Sequence, residues 1–137
     1  ESEAAAARTP EQRAAFDSHR LTVYLALKQP QRALPMLEQS QRDLPRDYNP
    51  PARLALAYNA MKEYDKALAA SDRALARAYG PRKIGILRTR ADIHAGRGDA
   101  QAARRTIEEA IRYAGSLPAG QRSAATIAAL KKKLQEM

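Results

Sequence analysis

The chain lacks cysteine and tryptophan altogether, and aromatic residues make up only 5% of it. Without cysteine there is no disulfide framework and no thiolate metal site. No apolar run approaches the 18 or so residues that a membrane-spanning helix needs. β-Branched residues are few, and no segment alternates apolar and polar side chains with period two, so no strand is expected. Only two histidines occur. His19 has no carboxylate at ligand spacing on its own helix face, and no His-Glu-x-x-His or His-x-x-Glu pattern exists. No Gly-x-Ser-x-Gly elbow is found either. With no nucleophile–base pair and no metal cluster, an enzyme has no candidate residues here. No metal and no organic cofactor is expected.

What the chain does have is alanine and positive charge. Hydrophobic residues reach 45% of its 137 positions, a large share of them alanine, and the formal net charge is +9. Alanine favours helix because it loses no side-chain entropy there, and it lets helix axes approach closely. A chain of this length fits one domain and buries roughly two-thirds of its unfolded surface. The positive charge suits an acidic partner, and it equally suits the free use of Ala and Arg by a GC-rich genome. The chain begins at Glu1 without a signal peptide, and reads as a processed product or an excised piece of something longer. No compartment is written in it; a bacterial cytoplasm or periplasm fits equally.

Residues 1–10 read as a frayed lead-in to a single domain over 11–137. Thr9-Pro10-Glu11 is a helix start: a cap, a proline in the first turn and an acid beside the N-terminal dipole. Breaks then fall at Gln29-Pro30, Leu44-Pro45, Asn49-Pro50-Pro51, Gly80-Pro81, Gly96 to Gly98 and Leu117 to Gly120. They predict seven helices, at about 11–28, 31–43, 50–62, 65–79, 82–96, 99–114 and 119–136. Pro35 lies past the expected start of the second, where a proline deletes a backbone bond at a cost of about 3 kcal/mol, so a kink or a late start is expected. Gly98 is expected at an unusual backbone angle, with Asp99 capping the next helix. The tripeptide Arg97-Gly98-Asp99 is therefore read as a turn.

Four ladders share one spacing. Tyr24, Tyr58 and His94 are separated by 34 and 36 residues, and so are Ala33, Ala67 and Ala103, then Ser40, Ala74 and Ala110, then Val23, Ala57 and Ile93. The two extra residues fall in the turn Tyr79-Gly80-Pro81-Arg82-Lys83. A period in this range marks tandem helix pairs, each unable to bury its apolar face alone. Ala67 and Ala103 are predicted at helix crossings, and His94 at a half-buried packing position.

At these positions the chain resembles the tetratricopeptide repeat family. The second unit carries the likeness best, in Arg53-Leu54-Ala55-Leu56-Ala57-Tyr58, Glu63-Tyr64-Asp65-Lys66-Ala67-Leu68, Asp72-Arg73-Ala74-Leu75 and Gly80-Pro81. The resemblance implies an all-α solenoid, a right-handed superhelix of three helix-turn-helix repeats at about 14–47, 48–81 and 84–117. A capping helix at 119–136 closes it, with Ile127, Leu130 and Leu134 facing in and Lys131, Lys132 and Lys133 outward. It departs from the family at Pro51, where a large residue is expected, and at Leu21, where a small one is.

The resemblance also implies a protein-interaction module whose first helices line a concave groove. The groove residues would be Ser18, His19, Thr22, Arg53, Leu56, Asn59, Arg88 and Asp92. A peptide or protein surface with carboxylates is the expected partner, because Arg53 and Arg88 are bidentate donors. The clamp that some family members use for chaperone C-termini would fall on Ser18, Thr22, Arg53, Gly85 and Thr89, which do not match it. A second resemblance, at Asp47 to Leu54, Tyr79 to Lys83 and Leu117 to Arg122, is to repeat tails of bacterial thioredoxin-fold proteins. It would make the chain an appendage of a redox protein. RNA-binding helical repeats form the third class; aromatics for base stacking are scarce, and Asp92, Glu108 and Glu109 interrupt any basic stripe.

Overall fold

The computed structural model describes residues 9–137, and residues 1–8, where most of the lead-in was placed, lie outside that range. Among the described residues every regular element is helical. They are α1 (Pro10–Ala14), α2 (Asp17–Ala26), a 3-10 turn (Pro30–Ala33), α3 (Leu34–Asp43), α4 (Asn49–Ala60), α5 (Tyr64–Arg77), α6 (Arg82–Gly96), α7 (Ala100–Ser116) and α8 (Ala124–Gln135). The described residues as far as Arg77 form one compact unit, and Ala78–Met137 form another.

The helix starts follow local chemistry. Thr9 Oγ1 accepts from the Gln12 amide at 3.0 Å while the Gln12 side chain accepts from the Thr9 amide at 3.1 Å. This reciprocal capping begins α1 at Pro10, one residue before the predicted boundary. Pro35 does delay its helix. The segment from Pro30 runs as a 3-10 turn, and α3 begins at Leu34 with Pro35 in its first turn, where the missing N–H costs nothing. Asp99 caps α7, its carboxylate accepting from the Ala102 amide at 3.0 Å.

Two predicted boundaries are corrected. The helix expected over 11–28 is interrupted between Ala14 and Asp17. The interruption puts Asp17 in the first turn of α2, where a carboxylate meets the positive end of the helix dipole. The last helix begins at Ala124 and not at 119. Ser123 Oγ accepts from the Thr126 amide at 3.1 Å and so fixes the start, while the preceding residues turn through a bond from the Gln121 amide to the Pro118 carbonyl at 2.8 Å.

Three of the helices, α2, α4 and α6, end in the same way. After α2, the Gln29 amide donates to the Tyr24 carbonyl at 2.8 Å and the Lys28 amide to Leu25 at 3.1 Å. After α4, Glu63 donates to Tyr58 at 2.9 Å and Lys62 to Asn59 at 3.0 Å. After α6, Asp99 donates to His94 at 2.9 Å and Gly98 to Ala95 at 3.1 Å. This is the Schellman pattern, and it requires one residue in the left-handed region. That residue is Lys28 (φ 59°), Lys62 (φ 61°) and Gly98 (φ 88°). The three are 34 and 36 residues apart, the spacing of the sequence ladders.

Most ladder positions are buried, among them Ala33, Ala67 and Ala103 and then Ser40, Ala74 and Ala110, whereas Tyr58 is half-buried and Val23 is exposed. Leu21, Ala55 and Ala91, two turns or so from each reversal, are buried as well. In the first unit, α4 and α5 pack closely, α3 lies against α4, and Leu37 and Leu54 fill the space with Pro50 and Pro51. Pro51 thus occupies a buried place with a compact ring. In the second unit, α6 packs on α7 and α7 on α8, around Ile93, Ile107 and Leu130. On α8, Leu130 is buried, Ile127 and Leu134 are half-buried, and Lys131 and Lys132 point to solvent.

Two experiments check this packing. A side chain in the left-handed region costs about 1–2 kcal/mol relative to glycine, and Gly98 has open space around a Cβ. Unfolding in urea is expected to show Lys62→Gly stabilised by about 0.5–1 kcal/mol and Gly98→Ala destabilised by about 1 kcal/mol. Ala67→Leu and Ala103→Leu should each cost about 1–3 kcal/mol by overpacking. An unchanged melting temperature for both leucine variants would contradict the register.

Candidate peptide-binding surface

The predicted groove residues fall on three helices. Ser18, His19 and Thr22 lie on α2, and all are exposed. Arg53, Leu56 and Asn59 lie on α4, which packs against α2 in the same unit. Arg88 and Asp92 lie on α6 in the other unit.

On α4 the three residues are spaced by three, so they form one strip. Arg53 and Asn59 are half-buried and Leu56 is 40% exposed. The opposite face carries Leu54, Ala55 and Ala57, all buried. The Arg53 guanidinium reaches the Ala14 carbonyl at 3.5 Å and acts electrostatically on Asp17. It is therefore anchored at one end of the strip. Thr22 Oγ1 donates to the Ser18 carbonyl at 2.9 Å, which leaves both hydroxyl-bearing residues at the surface of α2.

Asp17, which sequence reading passed over, is the buried acid of this region. Ser40 Oγ donates to its carboxylate at 2.6 Å. Burial pushes the Asp17 carboxyl above its ordinary value, while the Ser40 hydroxyl and the charges of Arg53 and Arg20 pull it back. Asp17 stands in the register of Pro51 and Leu87, both buried, so its polarity is an exception at a core position. Only the tertiary contact with Ser40, 23 residues away, reveals it.

His19 lines a depression of about 290 Å³ with Arg20, Val23, Tyr24, Leu27 and Arg32. The Arg32 guanidinium lies 4.9 Å from the Tyr24 ring centre, and Lys66 lies 5.8 Å from that of Tyr58. Both cations follow their tyrosine by eight residues, while Ala102 stands eight residues after His94.

In the second unit, Asp92 is held by Lys133 Nζ at 2.9 Å, so this acid ties α6 to α8. Arg88 is half-buried on the same helix. Ala78–Met137 holds twelve of the 24 Lys and Arg but only five of the 15 Asp and Glu. Much of this charge has internal work. Arg97 pairs with Asp99 at 3.2 Å, Arg104 donates to the Leu134 carbonyl at 3.3 Å and Arg122 to Leu117 at 3.1 Å, and Lys83 sits over Tyr113. Among the described residues no group of three His, Asp or Glu could hold a metal, and no helix is long and apolar enough to cross a membrane.

His94 packs as its place in the ladder with Tyr24 and Tyr58 implied, and is buried where a half-buried ring was expected. Its Nδ1 accepts from Arg97 Nε at 3.1 Å, which fits the neutral ring. Burial and then the charges of Arg97 and Arg90 push its pKa below the ordinary 6.5. The unfolded chain therefore takes up the proton first on acidification. Stability from this group is complete above pH 6.5 and declines as the pH falls through 6.5 toward the folded value. His94→Tyr, which places there the residue found at positions 24 and 58, is expected to lessen the fall in melting temperature between pH 7.5 and 5.5; an identical fall would contradict the assignment.

Comparison with known proteins gives no match to a family model, to a curated protein or to a solved structure.

Proposed function

We propose that the chain is a tetratricopeptide-like interaction module that binds a polypeptide segment bearing carboxylates on the solvent-facing strips of its first helices. The observation that carries this reading is the strip on α4. A leucine at 40% exposure stands between an arginine and an asparagine on one helix face, while Pro50, Pro51, Leu54, Ala55 and Ala57 of α4 are buried. Such a strip offers an apolar contact, a bidentate donor for a carboxylate and an amide able to bond a peptide backbone. The recurring reversal at Lys28, Lys62 and Gly98 supports the repeat reading on which the resemblance rests. The right-handed solenoid of three repeats and a closing helix is part of the same proposal.

A binding role without chemistry suits the residues that are exposed. Single solvent-accessible ion pairs contribute only about 0.2–1 kcal/mol, so affinity would come from Leu56 and backbone bonds, with charge steering the approach. Binding should weaken as salt rises, because the donors are accessible to screening ions.

The test is selection from a random peptide library on the immobilised chain. The expected products are peptides with Asp, Glu or a free C-terminal carboxylate beside an aliphatic residue. Their affinity should fall about tenfold on Leu56→Asp or Arg53→Glu, the range of a truncated interface anchor. Selected peptides without acids, or peptides indifferent to both substitutions, would contradict the proposal. Tight binding of homopolymer RNA that survives both changes would favour a nucleic-acid role instead.

A further inference from the structure

The reversal between α6 and α7 differs from the one between α4 and α5 in the ring that stands before it. His94 takes the place that Tyr58 holds. Its carbonyl accepts from the Asp99 amide at 2.9 Å, as the Tyr58 carbonyl accepts from Glu63 at 2.9 Å. Its side chain adds a second set of bonds. Nδ1 accepts from Arg97 Nε at 3.1 Å, and Arg97 Nη2 donates to Asp99 Oδ2 at 3.2 Å. Asp99 Oδ1 accepts from the Ala102 amide at 3.0 Å and so caps α7. Ring, guanidinium, carboxylate and helix start form one chain of bonds across the turn.

We infer that this chain is a proton-operated latch: protonation of His94 releases Arg97 from the ring and loosens the reversal between α6 and α7. The reason lies in the balance of donors. A neutral imidazole has one acceptor nitrogen, and Arg97 occupies it. An imidazolium has two donors and no acceptor, so its Nδ1–H and the Arg97 Nε–H would face each other with like charges behind them. The charged groups that act on the ring are Arg97 and Asp99 from the turn, Arg90 from α6 itself and Arg105 from α7. Three of these are positive, and the one acid is committed to Ala102 and Arg97. The ring is 8% exposed, so solvent screens little of this repulsion. A proton therefore favours a turn in which ring and guanidinium have separated. Asp99 is then shared among the imidazolium, Arg97 and the Ala102 amide, and its cap on α7 weakens.

The ring is the group that titrates. The bond from the Ala102 amide holds the Asp99 carboxyl below its ordinary 3.8, so that carboxyl stays ionised near neutrality. In the closed turn, burial and then Arg97 and Arg90 hold the His94 pKa below 6.5. The latch is closed above pH 6.5 and opens as the pH falls through 6.5 toward the folded value. The opening is confined to one turn, unlike a general loss of stability, because the reversal after α4 has no imidazole at the equivalent place. It is independent of any ligand on the α4 strip.

The test is amide hydrogen exchange by NMR on the full chain at pH 7.5 and 5.5, with each rate compared with that of open chain at the same pH. Protection of the Gly98, Asp99 and Ala102 amides is expected to fall between the two pH values, while that of Lys62 and Glu63 in the equivalent turn stays the same. The variant is Arg97→Ala, an exposed residue whose loss leaves the core intact. It removes the opposing donor. The His94 ring titration, followed by its chemical shifts, is expected to move upward, and the fall in protection at Asp99 to shrink. A purely structural role for Arg97 would lower protection at both pH values alike and leave the titration where it was. Equal loss of protection at Asp99 and Glu63, protection at Asp99 independent of pH, or a His94 titration unmoved by Arg97→Ala would overturn the inference.

Discussion

A helix that is to be followed at once by a second helix packed on it must stop and reverse within about three residues, and its last carbonyls must still find donors. In this chain that requirement is met each time by one residue at positive φ, with the next amide bonding back to the Tyr24, Tyr58 or His94 carbonyl. Everything else is registered to that point. The aromatic or imidazole ring stands four residues before it, and the alanine that admits the second helix stands five residues after it. The sum of small energies is then shared: a left-handed lysine is tolerated at Lys28 and Lys62 because burial of the neighbouring alanine faces outweighs it.

The same geometry decides which faces remain available. An alanine at a crossing brings two axes close, and Leu37, Leu54, Ile93, Ile107 and Leu130 fill the wider spaces of the interior. Leu56 on α4 and Val23 and Leu27 on α2 stay accessible to solvent. The polar groups set into the interior show the opposite case. Asp17 and His94 stand at spacings of 34 and 36 residues from apolar or aromatic residues (Pro51 and Leu87, Tyr24 and Tyr58), and each accepts from one donor, Ser40 or Arg97. Both are therefore points where the molecule responds to protons, one acid raised and one base lowered by the same desolvation.

What could be read from the residues was what depends on local sequence. The alanine ladder, the delayed helix at Pro35, the turn at Gly98 and the cap at Asp99 all follow from backbone preferences of single residues or from simple periodicity. The interruption between α1 and α2 did not, because Ala15 and Phe16 are ordinary helix residues and the burial of Asp17 depends on Ser40. The start of α8 was placed too early because Pro118 to Arg122 bear the turn and Ser123 makes the cap. Exposure was the least legible property. Val23 and Ala57 share one register, and only the packing around α2 and α4 separates them. For the same reason His19, grouped in the sequence with Ser18 and Thr22, lies with Val23 and Leu27, one helical step around α2.

Backbone chemical shifts joined with amide hydrogen exchange test the central claim, that three helices end in one recurring reversal, most directly. The account predicts left-handed Cα shifts at Lys28, Lys62 and Gly98, and slow exchange of the Gln29, Glu63 and Asp99 amides that close each reversal. Right-handed helical shifts at Lys28 and Lys62, with those three amides exchanging at the rate of open chain, would contradict it.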